Sequence, residues 1–63
     1  MIEVYKQYKT KTEAICQENG ETLNNRIVQV TKINNDYEII CLVSFDKDEV
    51  KYLPFSKDEL IEL

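Results

Sequence analysis

The segment Tyr37 to Phe45 is apolar on both sides of an extended chain. Tyr37, Ile39, Cys41, Val43 and Phe45 fall on one face, and Ile40 and Leu42 on the other. A strand of that kind lies inside a sheet, or curls so that its two ends meet the core differently, as strands of small barrels do. The preceding run Arg26 to Ile33 (Arg-Ile-Val-Gln-Val-Thr-Lys-Ile) is β-branched at alternate positions, and Asn34-Asn35-Asp36 between the two reads as a compact hairpin loop.

Around this hairpin the chain breaks into further short elements. Ile2 to Tyr8 is rich in β-branched and aromatic residues, which predicts a strand. Val4, Tyr8 and Ile15 also share a helical spacing, so a helix over Val4 to Ile15 is the rival reading, weakened by polar residues in the middle of its stripe. Glu13 to Gln17 is a second short stretch, closed by Asn19-Gly20, a pair that tolerates the positive φ of a type I′ turn and predicts a reversal. Asp46-Lys47-Asp48-Glu49 reads as a charged turn, and Val50 to Phe55 as a strand in which Pro54 donates no ladder hydrogen bond. Ser56-Lys57-Asp58-Glu59 has capping-box spacing, with Phe55 and Leu60 at the staple positions; it predicts one helical or 3-10 turn from Lys57 before Leu60 to Leu63 extend again.

With 63 residues, one Gly and one Pro, the chain holds a single domain, residues 1 to 63, and one small core. A core of that size stabilises a fold by only about 3–5 kcal/mol, so homo-oligomerisation is an open possibility. Cys16 and Cys41 both sit in apolar runs and read as buried, reduced thiols, with pairing between them left open. Polar and charged residues follow Met1 where a signal peptide would be apolar, and the longest apolar run, Ile39 to Val43, is far too short to cross a bilayer. The expectation is a cytoplasmic protein with no membrane contact.

The residues Tyr52-Leu53-Pro54, Phe55 to Glu59 and Leu60 to Leu63 resemble the end of SH3 domains, in which an aromatic-aliphatic-Pro step, a 3-10 turn and a short apolar strand close a small barrel. The resemblance covers only this C-terminal stretch. Together with the strand pattern it gives the expected fold, mainly β: a small five-stranded SH3-like barrel with one short 3-10 turn near the C-terminus. The resemblance also implies a groove for proline-rich ligands built from a Trp, early Tyr residues and a Tyr after the proline. This chain has no Trp, and Ser56 and Lys57 follow the Pro54-Phe55 step, so only Pro54 and Tyr5 or Tyr8 match and the ligand does not carry over.

Catalytic machinery is hard to assemble from this inventory. There is no His, too few Cys for a zinc site and no Gly-rich phosphate loop. Asp46 and Asp48 lack the Gly and closing Glu of a calcium loop, and Asp58 and Glu59 suit a helix N-terminus. The reading is no enzyme, no metal and no cofactor. The net charge of −4 is uneven: residues 1 to 33 carry five Lys or Arg against four acids, and residues 34 to 63 three Lys against eight acids.

These features lead to a non-enzymatic protein-interaction module, an adaptor, small subunit or inhibitor of a larger protein. Its candidate binding residues are Tyr5, Tyr8, Tyr37 and Tyr52 with Asp46, Asp48 and Glu49, since Tyr suits surfaces that are dry at one end and wet at the other. Ordinary sheet packing is the competing account of the tyrosines. One alternative is an acidic mimic of nucleic acid, although Lys47, Lys51 and Lys57 interrupt its acids. Another is nucleic-acid binding through Lys6, Lys9, Lys11 and Arg26 with Tyr5 and Tyr8 as stacking groups, which the acidic balance disfavours.

Overall fold

A computed structural model describes residues 1–46 and 48–63. Five antiparallel strands form one sheet: β1 (Gln7–Thr10), β2 (Ile27–Asn35), β3 (Glu38–Ser44), β4 (Val50–Phe55) and β5 (Leu60–Glu62), in the spatial order β4-β3-β2-β1-β5. A 3-10 turn, Lys57–Glu59, joins β4 to β5. The expected strand count and helical turn are present. The sheet is open, with β4 and β5 as its edges, so the barrel is not closed by a ladder among the described residues.

Period-two alternation builds the core. Tyr8 on β1, Val28 and Val30 on β2, Ile39, Cys41 and Val43 on β3, Phe55 at the end of β4 and Leu60 on β5 are buried on the inner face, with Phe45 just after β3. Cys16 and Leu23 cover them from the long segment between β1 and β2. Both thiols are buried, as expected, and they are not bonded to each other.

The segment is tied down by Thr10, a buried hydroxyl on β1. Its Oγ1 donates to the Leu23 carbonyl at 2.5 Å and accepts the Arg26 N–H at 2.9 Å, so its polarity is satisfied within the core. Arg26 closes the other side. Its guanidinium lies 4.8 Å from the centre of the Phe45 ring, and it donates to the Thr22 carbonyl at 2.6 Å and to Glu21 at 3.3 Å.

Three local expectations are revised. The first strand starts at Gln7, not Ile2, and the rival helix does not form. Val4 and Tyr5 make a turn instead, in which Lys6 N–H reaches the Glu3 carbonyl at 3.4 Å and Tyr5 adopts φ +70°. The cause is tertiary: the Tyr5 N–H donates to the Val30 carbonyl at 2.6 Å, while the Tyr8 hydroxyl takes the Glu3 N–H.

The chain does reverse at Asn19-Gly20, but the loop is wider than a two-residue type I′ turn. Of the pair only Gly20 has positive φ, and the loop closes through Gly20 N–H to the Cys16 carbonyl at 2.7 Å and Cys16 N–H to the Glu21 carbonyl at 2.8 Å. The loop between β2 and β3 is tighter than expected. Asn35 pairs with Glu38, leaving Asp36 and Tyr37 as the turn, and the Asn35 side chain accepts the Tyr37 N–H at 2.8 Å. Tyr37 thereby leaves the inward row that begins at Ile39.

The 3-10 turn forms where Ser56 and Glu59 placed it. The Glu59 carboxylate returns to the Ser56 N–H at 2.9 Å and also accepts the hydroxyls of Ser56 and Thr12. Phe55 and Leu60 are both buried, and the Lys57 N–H donates to the Asp36 carbonyl at 2.7 Å, docking the turn on the β2–β3 hairpin.

Candidate interaction surface

The register of β3 against β4 pairs Ser44 with Val50, Leu42 with Tyr52 and Ile40 with Pro54. These six residues face away from the core, because their neighbours Ile39, Cys41 and Val43 are buried on the other side. Tyr52 is 64% exposed and Val50 53%, while Ile40 and Leu42 are half-buried by the flanking strands. Across β2 the same face continues through Gln29, opposite Leu42, to the exposed Ile27. The two-sided apolar pattern of β3 therefore has a split outcome. Its inner side is core, and its outer side is an apolar strip that no other element covers among the described residues.

Asp46, Asp48 and Glu49 stand at the end of the same hairpin. All three are exposed, and Asp48 adopts φ +62°, which Asp tolerates better than most residues. Phe45 N–H donates to the Glu49 carbonyl at 2.7 Å and closes the turn; Lys47 lies outside the described residues. Beneath the turn, the loop at Glu18 and Asn19 docks on β4. Lys51 meets Glu18 at 2.8 Å and the Asn19 amide donates to Glu49 at 2.9 Å. The hydrogen bond it donates to Glu18 holds the Lys51 ammonium above its ordinary range, against the opposing effect of burial.

Four of the seven candidate residues are thus brought together: Tyr52, Asp46, Asp48 and Glu49 share the β3–β4 hairpin. The other tyrosines lie elsewhere. Tyr37 is 83% exposed at the β2–β3 turn, and Tyr5 is 75% exposed in the turn before β1. Tyr8 must be corrected from a surface residue to a core one, because its ring is at 0% exposure and its hydroxyl is bound by the N-terminal segment.

The basic residues of the first half are also dispersed. Lys6 pairs with Glu62 at 3.6 Å and Glu3 at 3.7 Å, and Arg26 is engaged with Glu21 and Phe45. Among the described residues no three acids or cysteines converge in a way that would hold a metal ion. Nor is any helix of the described residues long and apolar enough to cross a membrane.

No family model, no curated protein and no solved structure matches this chain. The surface has to be read from its own chemistry. Sequence reasoning missed Ile40, Leu42, Val50 and Pro54 as its members. The available signal was the second apolar face of Tyr37 to Phe45, which marks a face without saying whether the protein itself covers it.

Proposed function

We propose that the chain is a non-enzymatic protein-interaction module that binds a larger protein through the outer face of its β3–β4 hairpin. The observation that carries this reading is the strip Val50, Tyr52, Pro54, Ile40 and Leu42, apolar and uncovered on a chain rich in charge. Apolar strips rimmed by polar residues are favoured places for association, and a Tyr beside aliphatic side chains is a common anchor in them. Asp46, Asp48 and Glu49 form an acidic rim that selects among partners more than it adds affinity. The SH3-like relationship belongs to the same proposal. It is supported by five strands joined in hairpins and a 3-10 turn before the last strand, and it concerns the scaffold, not the proline-rich ligand.

Affinity capture from the source cells, with the unaltered chain, Tyr52→Lys and Tyr37→Ala compared side by side, tests the reading. A protein retained by the unaltered chain and by Tyr37→Ala, and lost by Tyr52→Lys, is the expected result. Equal capture by Tyr52→Lys would overturn this choice of surface. Salt-sensitive capture of nucleic acid in place of protein would overturn the function class.

A further inference from the structure

The backbone of β4 adds a second recognition element to the same hairpin. The bond from Phe45 N–H to the Glu49 carbonyl makes that pair a hydrogen-bonded one. Antiparallel alternation then makes Val43–Lys51, Cys41–Leu53 and Ile39–Phe55 hydrogen-bonded pairs, and Ser44–Val50, Leu42–Tyr52 and Ile40–Pro54 non-hydrogen-bonded ones. Because β4 is an edge strand, the N–H and C=O groups of Val50 and Tyr52, and the carbonyl of Pro54, point away from the sheet. Pro54 therefore removes no bond from the β3–β4 ladder, and it ends the row of free donors at Tyr52. The other edge, β5, is shorter, and its Glu62 lies beside the N-terminal amine.

We infer that β4 binds an extended segment of another protein as a sixth, antiparallel strand, with apolar side chains at every second position and Lys or Arg at its C-terminal end. This deepens the proposed function and rests on it. Main-chain bonds to Val50 and Tyr52 supply the pairing, and alternate side chains of the incoming strand extend the apolar strip that those two residues begin. An antiparallel strand brings its C-terminal end to the start of β4, where Asp46, Asp48 and Glu49 have no ion-pair partner among the described residues.

A second copy of the chain fits this edge poorly. Pairing two β4 strands with Val50 opposite Tyr52 sets Lys51 against Lys51 of the second copy, and like charges directly opposite are destabilising. Slipping one copy by two residues, so that Val50 lies opposite Pro54, sets each Val50 carbonyl against a residue that has no N–H to offer.

Selection of a displayed random-peptide library on the immobilised chain tests the inference. The enriched peptides are expected to alternate apolar residues and to carry Lys or Arg at the C-terminal end. N-methylation of the peptide amides that face β4 should weaken binding by about tenfold or more, and methylation of the intervening amides should not. Val50→Pro, which removes an edge donor but keeps an apolar side chain, should weaken it similarly.

Peptides that are lost on Tyr52→Lys yet bind equally after either methylation pattern would overturn strand addition and leave the proposed surface standing. The absence of any enriched peptide, or a dimer in sedimentation that Val50→Pro dissociates, would overturn the inference by removing its occupant.

Discussion

The hydroxyl of Tyr8 accepts the Glu3 N–H at 2.8 Å and donates to the Met1 carbonyl at 3.3 Å, so a ring buried in the sheet holds the N-terminal segment from within. Tyr8→Phe keeps the ring and leaves those two backbone groups without their partner. The expected cost is about 1–2 kcal/mol in urea denaturation, with faster amide exchange confined to residues 1–6. Tyr8→Ala leaves a cavity at the centre of a small core and should cost about 3–5 kcal/mol, enough to unfold most of the population.

Arg26 clamps the β1–β2 segment through Phe45, Thr22 and Glu21 together. Arg26→Lys retains the charge but loses the flat guanidinium on the ring and the fork of donors, so it should recover little of the loss caused by Arg26→Ala. A double-mutant cycle of Arg26→Ala with Phe45→Leu should return a coupling of about 0.5–1 kcal/mol. Additive single effects would show that the stacking contributes nothing.

Burial raises the Glu59 carboxyl pKa, but this is outweighed by hydrogen bonds from the Ser56 N–H, the Thr12 hydroxyl and the Ser56 hydroxyl, and the group lies below its ordinary range. A folded-state value below the unfolded one stabilises the fold above the unfolded pKa. That contribution disappears as pH falls through the folded value. Glu59→Gln should therefore be less stable than the unaltered chain near neutral pH and lose less on acidification. Parallel stability curves for the two proteins down the acid range would contradict this.

Burial pushes the Cys41 thiol up from 9.0 to about 11. The neutral thiol is thus favoured in the fold, and its contribution to stability is present below the unfolded value and lost as pH rises toward 11. Cys41→Ala should flatten that alkaline decline. Cys16 and Cys41 should both label slowly with a thiol reagent until denaturant is added, and immediate labelling of either would contradict the packing.

Proline-rich peptides should give no heat of binding in titration calorimetry. A groove for them needs several flat rings on one surface, and Tyr8 is inside the sheet while Tyr5, Tyr37 and Tyr52 stand on separate elements. Binding to a Pro-x-x-Pro peptide that disappears with Tyr5→Ala would reverse the conclusion.

What the residues disclosed in advance was local. Ser56 and Glu59 set the 3-10 turn because both ends of the motif lie within one turn of chain. The β2–β3 hairpin was legible because each strand carries its own alternation. The bend at Tyr5 was hidden, since a Tyr at φ +70° is held there by the Val30 carbonyl, distant in sequence, and by a Tyr8 hydroxyl that reaches the Glu3 N–H only from within the folded sheet. The inward side of Tyr8 depends on pairing with Val28 and Glu62, and the open outer face at Ile40 and Leu42 on no other element packing over it among the described residues. Both are set by how the elements assemble, which alternation alone does not contain.

The turn at Asp36 and Tyr37 has a consequence for the order of folding. Joining β2 to β3 closes a loop of only two residues, whereas joining β1 to β2 must first confine the whole segment from Lys11 to Arg26. The entropy of closing a loop rises with its length, so the hairpin is the cheapest pairing to nucleate, and β4 can add to it across the next short turn. β1 arrives afterwards and, with Tyr8 set between Val28 and Glu62, fastens the last strand of the chain to a sheet begun in its middle.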